Sequence, residues 1–308
     1  MKYAVLFPGQ GSQSVGMCAD VRAAYPELCG ARANEVLGWD LDSLVSNGPG
    51  ELLTQTQHAQ PALFAVSFAL WTEFSSRISN PPSAAAGHSL GEYTALAAAG
   101  VLSYIDGLRL VFERGRAMAT AAKLEPSGMA ALLGADLDLV ESIVSDRRRA
   151  GGRLSVANIN APGQIVIAGG EDDLDWLDAN ARDLGVRRVI KLNVAGAFHS
   201  PFMAPAAKSL AAELEAAQFA EGDFPVFANA TAVPTLDPEA TLAQQLTAPV
   251  RFAETLEHIA ASGVDTFVHI GPGDVTTGLV KRTVGDANVR VVSSIEDARA
   301  VAGELSVH

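Results

Sequence analysis

Cysteine is scarce in this chain, with two residues in 308, Cys18 and Cys29. Their spacing suits no metal knuckle, so free thiols in a reducing cytosol are expected. No stretch of about 18 consecutive apolar residues occurs, which argues against a membrane span. Met1 and Lys2 lead straight into the strand-like Tyr3-Ala4-Val5-Leu6-Phe7. That leaves no room for a signal or transit peptide, and a cytoplasmic location is expected. Basic residues are outnumbered, 22 Lys and Arg against 35 Asp and Glu for a net charge of −13. This argues against a nucleic-acid binder, whose phosphate contacts need a basic face. P-loop, zinc spacing and dinucleotide fingerprint are lacking, so no cofactor or metal is needed. Neither internal repeats nor low-complexity segments are visible.

Apolar residues, by contrast, make up 48% of the chain, enough for one large core with room for an insert. Residues 3–7 read as a buried strand ending at Pro8-Gly9-Gln10-Gly11-Ser12-Gln13. Helical patterns follow over 20–37 and 60–77, then a short strand after Pro81-Pro82, an Ala-rich helix and a helix over 105–122. Near the end, Thr266–Ile270 is again a strand running into Gly271-Pro272-Gly273. Short apolar strands alternating with helices predict a mostly parallel α/β sheet. The middle differs: strand 129–134, helix 137–149, strands 154–159 and 164–168, helix 172–184 and strand 187–194. That βαββαβ order is ferredoxin-like.

One stretch carries the chemistry: AAAGHSLGEYTALAAAG, residues 84–100. Ser89 stands between Gly87 and Gly91 where a strand gives way to a helix. A G-x-S-x-G match arises by accident in roughly one chain of this length in ten, given ordinary glycine usage. Its strand–turn–helix setting makes it a nucleophile elbow, with the helix N-terminus positioned to stabilise an oxyanion. A serine needs a base. His88 adjoins Ser89 and points elsewhere on such a turn. His58, His258 and His308 sit at a Gln-rich helix approach, on a polar helix and at the terminus, while His269 is inside a strand. His199, in the loop Gly196-Ala197-Phe198-His199-Ser200-Pro201, is the best candidate, although loop histidines are commonly plain surface residues.

Collinear motifs then make a resemblance plain. They are Phe7–Gln13, Gly87-His88-Ser89-Leu90-Gly91-Glu92-Tyr93, Arg114-Gly115, Pro162–Gly169, Phe198-His199-Ser200, Gln245-Leu246 before Pro249-Val250, and Gly271-Pro272-Gly273. The chain resembles bacterial malonyl-CoA:acyl carrier protein transacylases and the acyltransferase domains of polyketide synthases, over nearly its whole length. The resemblance implies an α/β-hydrolase-like core over 1–126 and 196–308, with a ferredoxin-like subdomain at 127–195. It further implies Ser89 as nucleophile, His199 as base, and the backbone carbonyl of Gln245 orienting His199. Backbone N–H groups of Gln10 and Leu90 would form the oxyanion hole. Arg114 would bind the substrate carboxylate as a guanidinium fork, with His88 and Phe198 also at the substrate. Malonyl-CoA and holo acyl carrier protein are the implied partners of a monomer. Leu90 and Phe198 resemble the pattern that selects malonyl over methylmalonyl.

Other residues invite plainer readings. Arg109 and Arg116 read as solvent-facing cations, Met118, Met129, Phe202 and Met203 as core or pocket wall, and Trp71 and Trp176 as packing. Asp172, Asp173 and Asp175 read as anions on a helix N-terminus. Two rival functions stand beside the transferase: a serine hydrolase using Asp265 and His269 as a late acid–histidine pair, and a non-catalytic docking module. A carrier protein is acidic, so it would need a local basic patch. Arg147, Arg148, Arg149 and Arg153, then Arg187, Arg188 and Lys191, then Lys281 and Arg282 are the candidates.

Overall fold

The computed structural model describes residues 2–306. The chain opens with β1 (Tyr3–Phe7), every residue of it buried, followed by α1 (Ala19–Ala24), a π turn over Glu27–Ala31 and α2 (Arg32–Leu37). The sequence pattern suggested one helix over 20–37. Pro26 divides it, because a residue before proline is pushed out of the α region and Tyr25 sits at φ −122°, ψ 56°. Short helices α3 (Leu41–Asn47) and α4 (Gly50–Thr54) lead to the long α5 (Thr56–Ser75). Strand β2 (Ala84–Gly87) then runs through the elbow into α6 (Gly91–Ala98), followed by α7 (Tyr104–Ala122).

The expected βαββαβ segment follows as β3 (Ser127–Leu133), α8 (Leu137–Arg149), β4 (Ser155–Ala161), β5 (Gln164–Gly170), α9 (Glu171–Asn180) and β6 (Arg188–Lys191). β6 is shorter than the 187–194 read from sequence, since residues 192–194 leave the sheet to line a cavity. The chain returns through α10 (Ala204–Ala216), β7 (Val226–Phe227), α11 (Pro238–Gln245) and α12 (Phe252–Ala261). It closes with β8 (Thr266–Ile270), α13 (Val275–Thr283), β9 (Asn288–Val292) and α14 (Ile295–Ser306).

Two sheets result. The larger has order β7-β2-β1-β8-β9 with all pairs parallel. The smaller has order β4-β5-β3-β6 and is antiparallel throughout. In the parallel sheet β1 is central, with β2 on one side and β8 on the other. The crevice beyond its C-terminal end is where open α/β sheets take ligands. The sheets are stitched by main chain: Val250, just before α12, exchanges hydrogen bonds of 2.8 Å with Ala157 and Ile159 of β4. Small residues set the packing around β1. A Cβ on Gly87 would lie 1.9 Å from the Gly91 carbonyl carbon, and one on Gly91 would lie 2.3 Å from the Phe7 carbonyl oxygen. Helix α7 also approaches α5 closely, since a Cβ on Gly115 would stand 2.9 Å from Gln57 Cα.

Substitutions at glycines should therefore differ in sign. Gly87→Ala must move backbone and is expected to cost about 1–3 kcal/mol or more. Gly278→Ala, on an open face of α13 with nothing near its Cβ, should stabilise by about 0.5–1 kcal/mol. Urea unfolding midpoints of the two variants check both.

Candidate active site

The elbow is held from three directions. Ser89 lies in the left-handed region at φ 53°, a strained conformation for a residue with a Cβ. Asn229, in the loop after β7, fixes it: its Oδ1 accepts the Ser89 N–H at 2.7 Å and its Nδ2 donates to the Gly87 carbonyl at 2.7 Å. Gln245 Nε2 donates to the Ser89 carbonyl at 3.0 Å. The serine hydroxyl therefore projects from the turn after β2 into a cavity of about 450 Å³, a volume typical of small-molecule sites.

His199 meets it there. Its Nε2 lies 2.7 Å from Ser89 Oγ, and its Nδ1 lies 2.9 Å from the Gln245 main-chain oxygen. A carbonyl only accepts, so Nδ1 carries the proton and Nε2 presents its lone pair to the serine O–H. His199 is itself left-handed, at φ 55°. The rival histidine is elsewhere: His269 is buried in β8 with Nδ1 on Thr276 Oγ1 at 2.7 Å, and Asp265 accepts from Thr266. The late-pair arrangement is thus not formed at Ser89. His308 lies outside the described residues.

Arg114 projects from α7 into the same cavity and is 1% exposed. Its guanidinium donates to three neutral acceptors: Gln60 Oε1 at 2.8 Å, Gln245 Oε1 at 2.9 Å and Ser89 Oγ at 3.1 Å. Gly115 permits this by letting α7 settle against the start of α5, where Gln60 resides. Gln10 and Leu90 lie on the same cavity wall. The Gln10 loop presses on the elbow, since a Cβ on Gly9 would sit 2.5 Å from the His88 carbonyl oxygen. Leu90 caps α6, and the N–H groups of Gly91, Glu92 and Tyr93 behind it turn back to the His88, Ser89 and Leu90 carbonyls. His88 also lines the cavity but turns from Ser89, with Nε2 on Asn160 Oδ1 at 2.7 Å. Phe198, Met118 and Met129 form apolar wall.

The acyl transferase domain family is matched across residues 5–305. The chain belongs to that family. This acyltransferase is 39% identical over 310 residues to the malonyl CoA-acyl carrier protein transacylase of Salmonella typhimurium, covering 99% of each chain. It is 40% identical to the transacylase of the same name from Bacillus subtilis, over 91% of this chain and 90% of that one. Among solved structures it superposes on an acyl carrier protein S-malonyltransferase from Vibrio cholerae with a TM-score of 0.93 at 38% identity, covering 98% and 100%. A type II polyketide malonyl-transacylase solved in complex with its acyl-carrier protein also scores 0.93, at 37% identity over 99% and 100%.

Several acyltransferase residues escaped the motif reading. Gln60, Asn160 and Asn229 are single amides without characteristic spacing, found only through their partners. Asp173, which the sequence places on a helix N-terminus, is buried, pairing with Arg147 at 2.7 Å and accepting the Arg153 N–H at 2.7 Å. Trp71 packs edge-on against Phe7, while Trp176 lies beneath Arg147. Arg109 and Arg116 are surface cations paired with Asp106 and Glu113. Of the basic groups, Arg153 pairs with Glu125 and Lys191 with Asp175, whereas Arg187 and Arg188 are exposed beside the cavity-lining 192–194 segment. Arg282 donates to Gln164 at the cavity wall.

Burial, with the Arg114 charge second, lowers the His199 pKa to about 3. Burial lowers His269 to about 4 and lowers His88 as well. The folded acyltransferase thus keeps these histidines neutral, whereas the unfolded chain protonates them near 6.5. Between those values the unfolded state binds more protons, so stability falls as pH drops below about 6.5. Glu92, raised by burial to about 7, acts with opposite sign but is outnumbered. Urea midpoints should be lower at about pH 5 than at about pH 7.5.

Proposed function

We propose that this acyltransferase moves a malonyl group from malonyl-CoA to the phosphopantetheine thiol of holo acyl carrier protein through a malonyl ester on Ser89. The observation that carries this reading is Arg114, a fully buried guanidinium hydrogen-bonded only to neutral acceptors and touching the nucleophile. A buried charge of that kind favours an anionic partner, and a guanidinium binds carboxylate in two-pronged fashion. Such a carboxylate would put a three-carbon acyl group's thioester carbonyl beside Ser89 Oγ. The transacylases of Salmonella typhimurium and Bacillus subtilis, by their names, and the malonyl-transacylase solved with its acyl-carrier protein support the same substrates.

In the first half-reaction Ser89 Oγ attacks the thioester carbonyl and His199 Nε2 takes its proton. The Gln245 carbonyl holds the Nδ1–H and steadies the imidazolium. Backbone N–H groups of Gln10 and Leu90 receive the oxyanion. The C–S bond breaks and CoA leaves with the proton from His199. The carrier thiol then gives its proton to the same nitrogen and attacks the ester, the bond from Ser89 Oγ to the acyl carbon breaks, and Ser89 Oγ takes that proton back from His199. No step as written requires a cofactor. Carboxylate binding also offsets the Arg114 charge that helps depress His199, so the correct substrate strengthens its own base.

In this reading residues 1–126 and 196–308 form the catalytic subdomain and 127–195 a ferredoxin-like subdomain supplying cavity wall. One chain carries every catalytic group, consistent with a working monomer. Among the described residues no helix is long and apolar enough to cross a membrane, and both cysteines are free thiols, which fits work in the cytoplasm.

Intact-protein mass after incubation with malonyl-CoA tests the proposal. The wild type should gain a malonyl adduct and lose it on addition of carrier protein, while loss to water alone would indicate a hydrolase. Ser89→Ala should gain none, and His199→Ala should acylate about 10²–10⁴-fold more slowly. Arg114→Ala should impair malonyl-CoA far more than acetyl-CoA; equal loss on both would contradict the carboxylate anchor. Methylmalonyl-CoA should acylate more slowly than malonyl-CoA, because Phe198 crowds the extra methyl at a cost of about 1–3 kcal/mol.

A further inference from the structure

Glu92 is wholly buried on α6, one turn past the nucleophile, and the reaction above gives it no part. Its Oε2 accepts from Gln245 Nε2 at 2.6 Å and from the Asn229 N–H at 3.0 Å. Its Oε1 has no partner among the described residues. The other end of the Gln245 amide accepts from Arg114 at 2.9 Å. One amide therefore joins guanidinium to carboxylate, oxygen toward the cation and N–H toward the anion, which is the polarity that stabilises both charges.

The surroundings leave Arg114 as the charged group facing Glu92. It comes from α7, and Tyr93 is a titratable neighbour on α6 itself. The loop after β7 and α11 contribute the neutral amides Asn229 and Gln245, and α5 contributes Gln60 by way of Arg114. β1 and β2 meet the elbow through the backbone of Phe7 and Gly87, and β7 is the apolar pair Val226-Phe227. His199 lies beyond Gln245.

We propose that Glu92 is the resident counter-charge of Arg114 in the empty site, and that it takes up a proton from solvent when the substrate's carboxylate binds there. With the site empty, one buried cation and one buried anion balance. A substrate carboxylate on Arg114 adds a second anion, and a dry site with net negative charge is costly. Protonating Glu92 restores neutrality. The Oε2 atom can keep its two donors while Oε1, which has no donor to lose, takes the proton. Burial already raises this carboxyl to about 7, so a modest further push suffices. Binding of the substrate and of the proton are then linked, each favouring the other.

The inference rests on Arg114 as the carboxylate anchor, and calorimetry can separate the two. Ser89→Ala protein, which cannot be acylated, is titrated with malonyl-CoA and with acetyl-CoA in buffers of different ionisation enthalpy. At about pH 7.5 malonyl-CoA should bind with net uptake of at least about half a proton, and acetyl-CoA with none. Uptake should shrink at about pH 5.5, where Glu92 is already protonated; uptake growing there instead would point to His199 and overturn the proposal. Ser89→Ala/Glu92→Gln keeps the acceptor oxygen and should lose the uptake. If malonyl-CoA binds more tightly than acetyl-CoA without taking up a proton, the anchor stands and the Glu92 inference falls. Proton uptake that survives Glu92→Gln overturns it as well. If malonyl-CoA binds no more tightly than acetyl-CoA, the anchor itself is wrong.

Discussion

Gln245 ties the site together. Its main-chain oxygen holds His199 Nδ1, its side-chain oxygen holds Arg114, and its side-chain nitrogen reaches both the Ser89 carbonyl and Glu92. The proposed base, the proposed substrate anchor and the elbow are thus referred to one residue at the end of α11. A main-chain acceptor has a consequence for the histidine. It fixes tautomer and ring orientation without bringing a full negative charge against the imidazole. Burial and then the Arg114 charge keep His199 neutral, with no carboxylate at Nδ1 to offset them.

Strain and packing meet in the same place. Ser89 and His199 both occupy left-handed backbone, and neither has glycine's freedom to do so. Asn229 restrains the first by gripping the elbow on either side, at the Gly87 carbonyl and the Ser89 N–H. Around the second, Ala197 and Ser200 are buried, and the Ser200 hydroxyl donates to the Ala197 carbonyl at 2.5 Å, closing the loop on itself. Gly87 and Gly91 remove the side chains that would otherwise keep β2, α6 and β1 apart.

The sequence made the chemistry legible where a motif encodes backbone geometry. The glycines around Ser89 announce a turn that only small residues can pack, and the strand and helix beside it are short and strongly patterned. The βαββαβ segment was legible because its periods change cleanly between strand and helix. Other features were not. Strand β7 has two residues and no period to detect, and β9 alternates like many exposed strands. Pro26 was a breaker that helical patterning on both sides obscured. Gln60, Asn160 and Asn229 act through contacts with residues 54, 72 and 140 positions away, and no local pattern can report such partners. His199 needed the family resemblance to be separated from an ordinary loop histidine.

The stitching of Val250 to β4 makes the small sheet part of the cavity's frame. Its walls, Met129, Asn158, Asn160 and Val166, shape the cavity but contain neither nucleophile nor guanidinium, so drift in them can retune what fits. The chain leaves that sheet only a few residues before His199, however, and re-enters the larger layer through it. An insertion, deletion or register slip in the small sheet would therefore reach the loop that carries His199 and, through the Asn160–His88 hydrogen bond, the residue beside Ser89. A point substitution in those wall residues changes the cavity while leaving Ser89, His199 and Arg114 in place, whereas a change in the length of the small sheet displaces its neighbours.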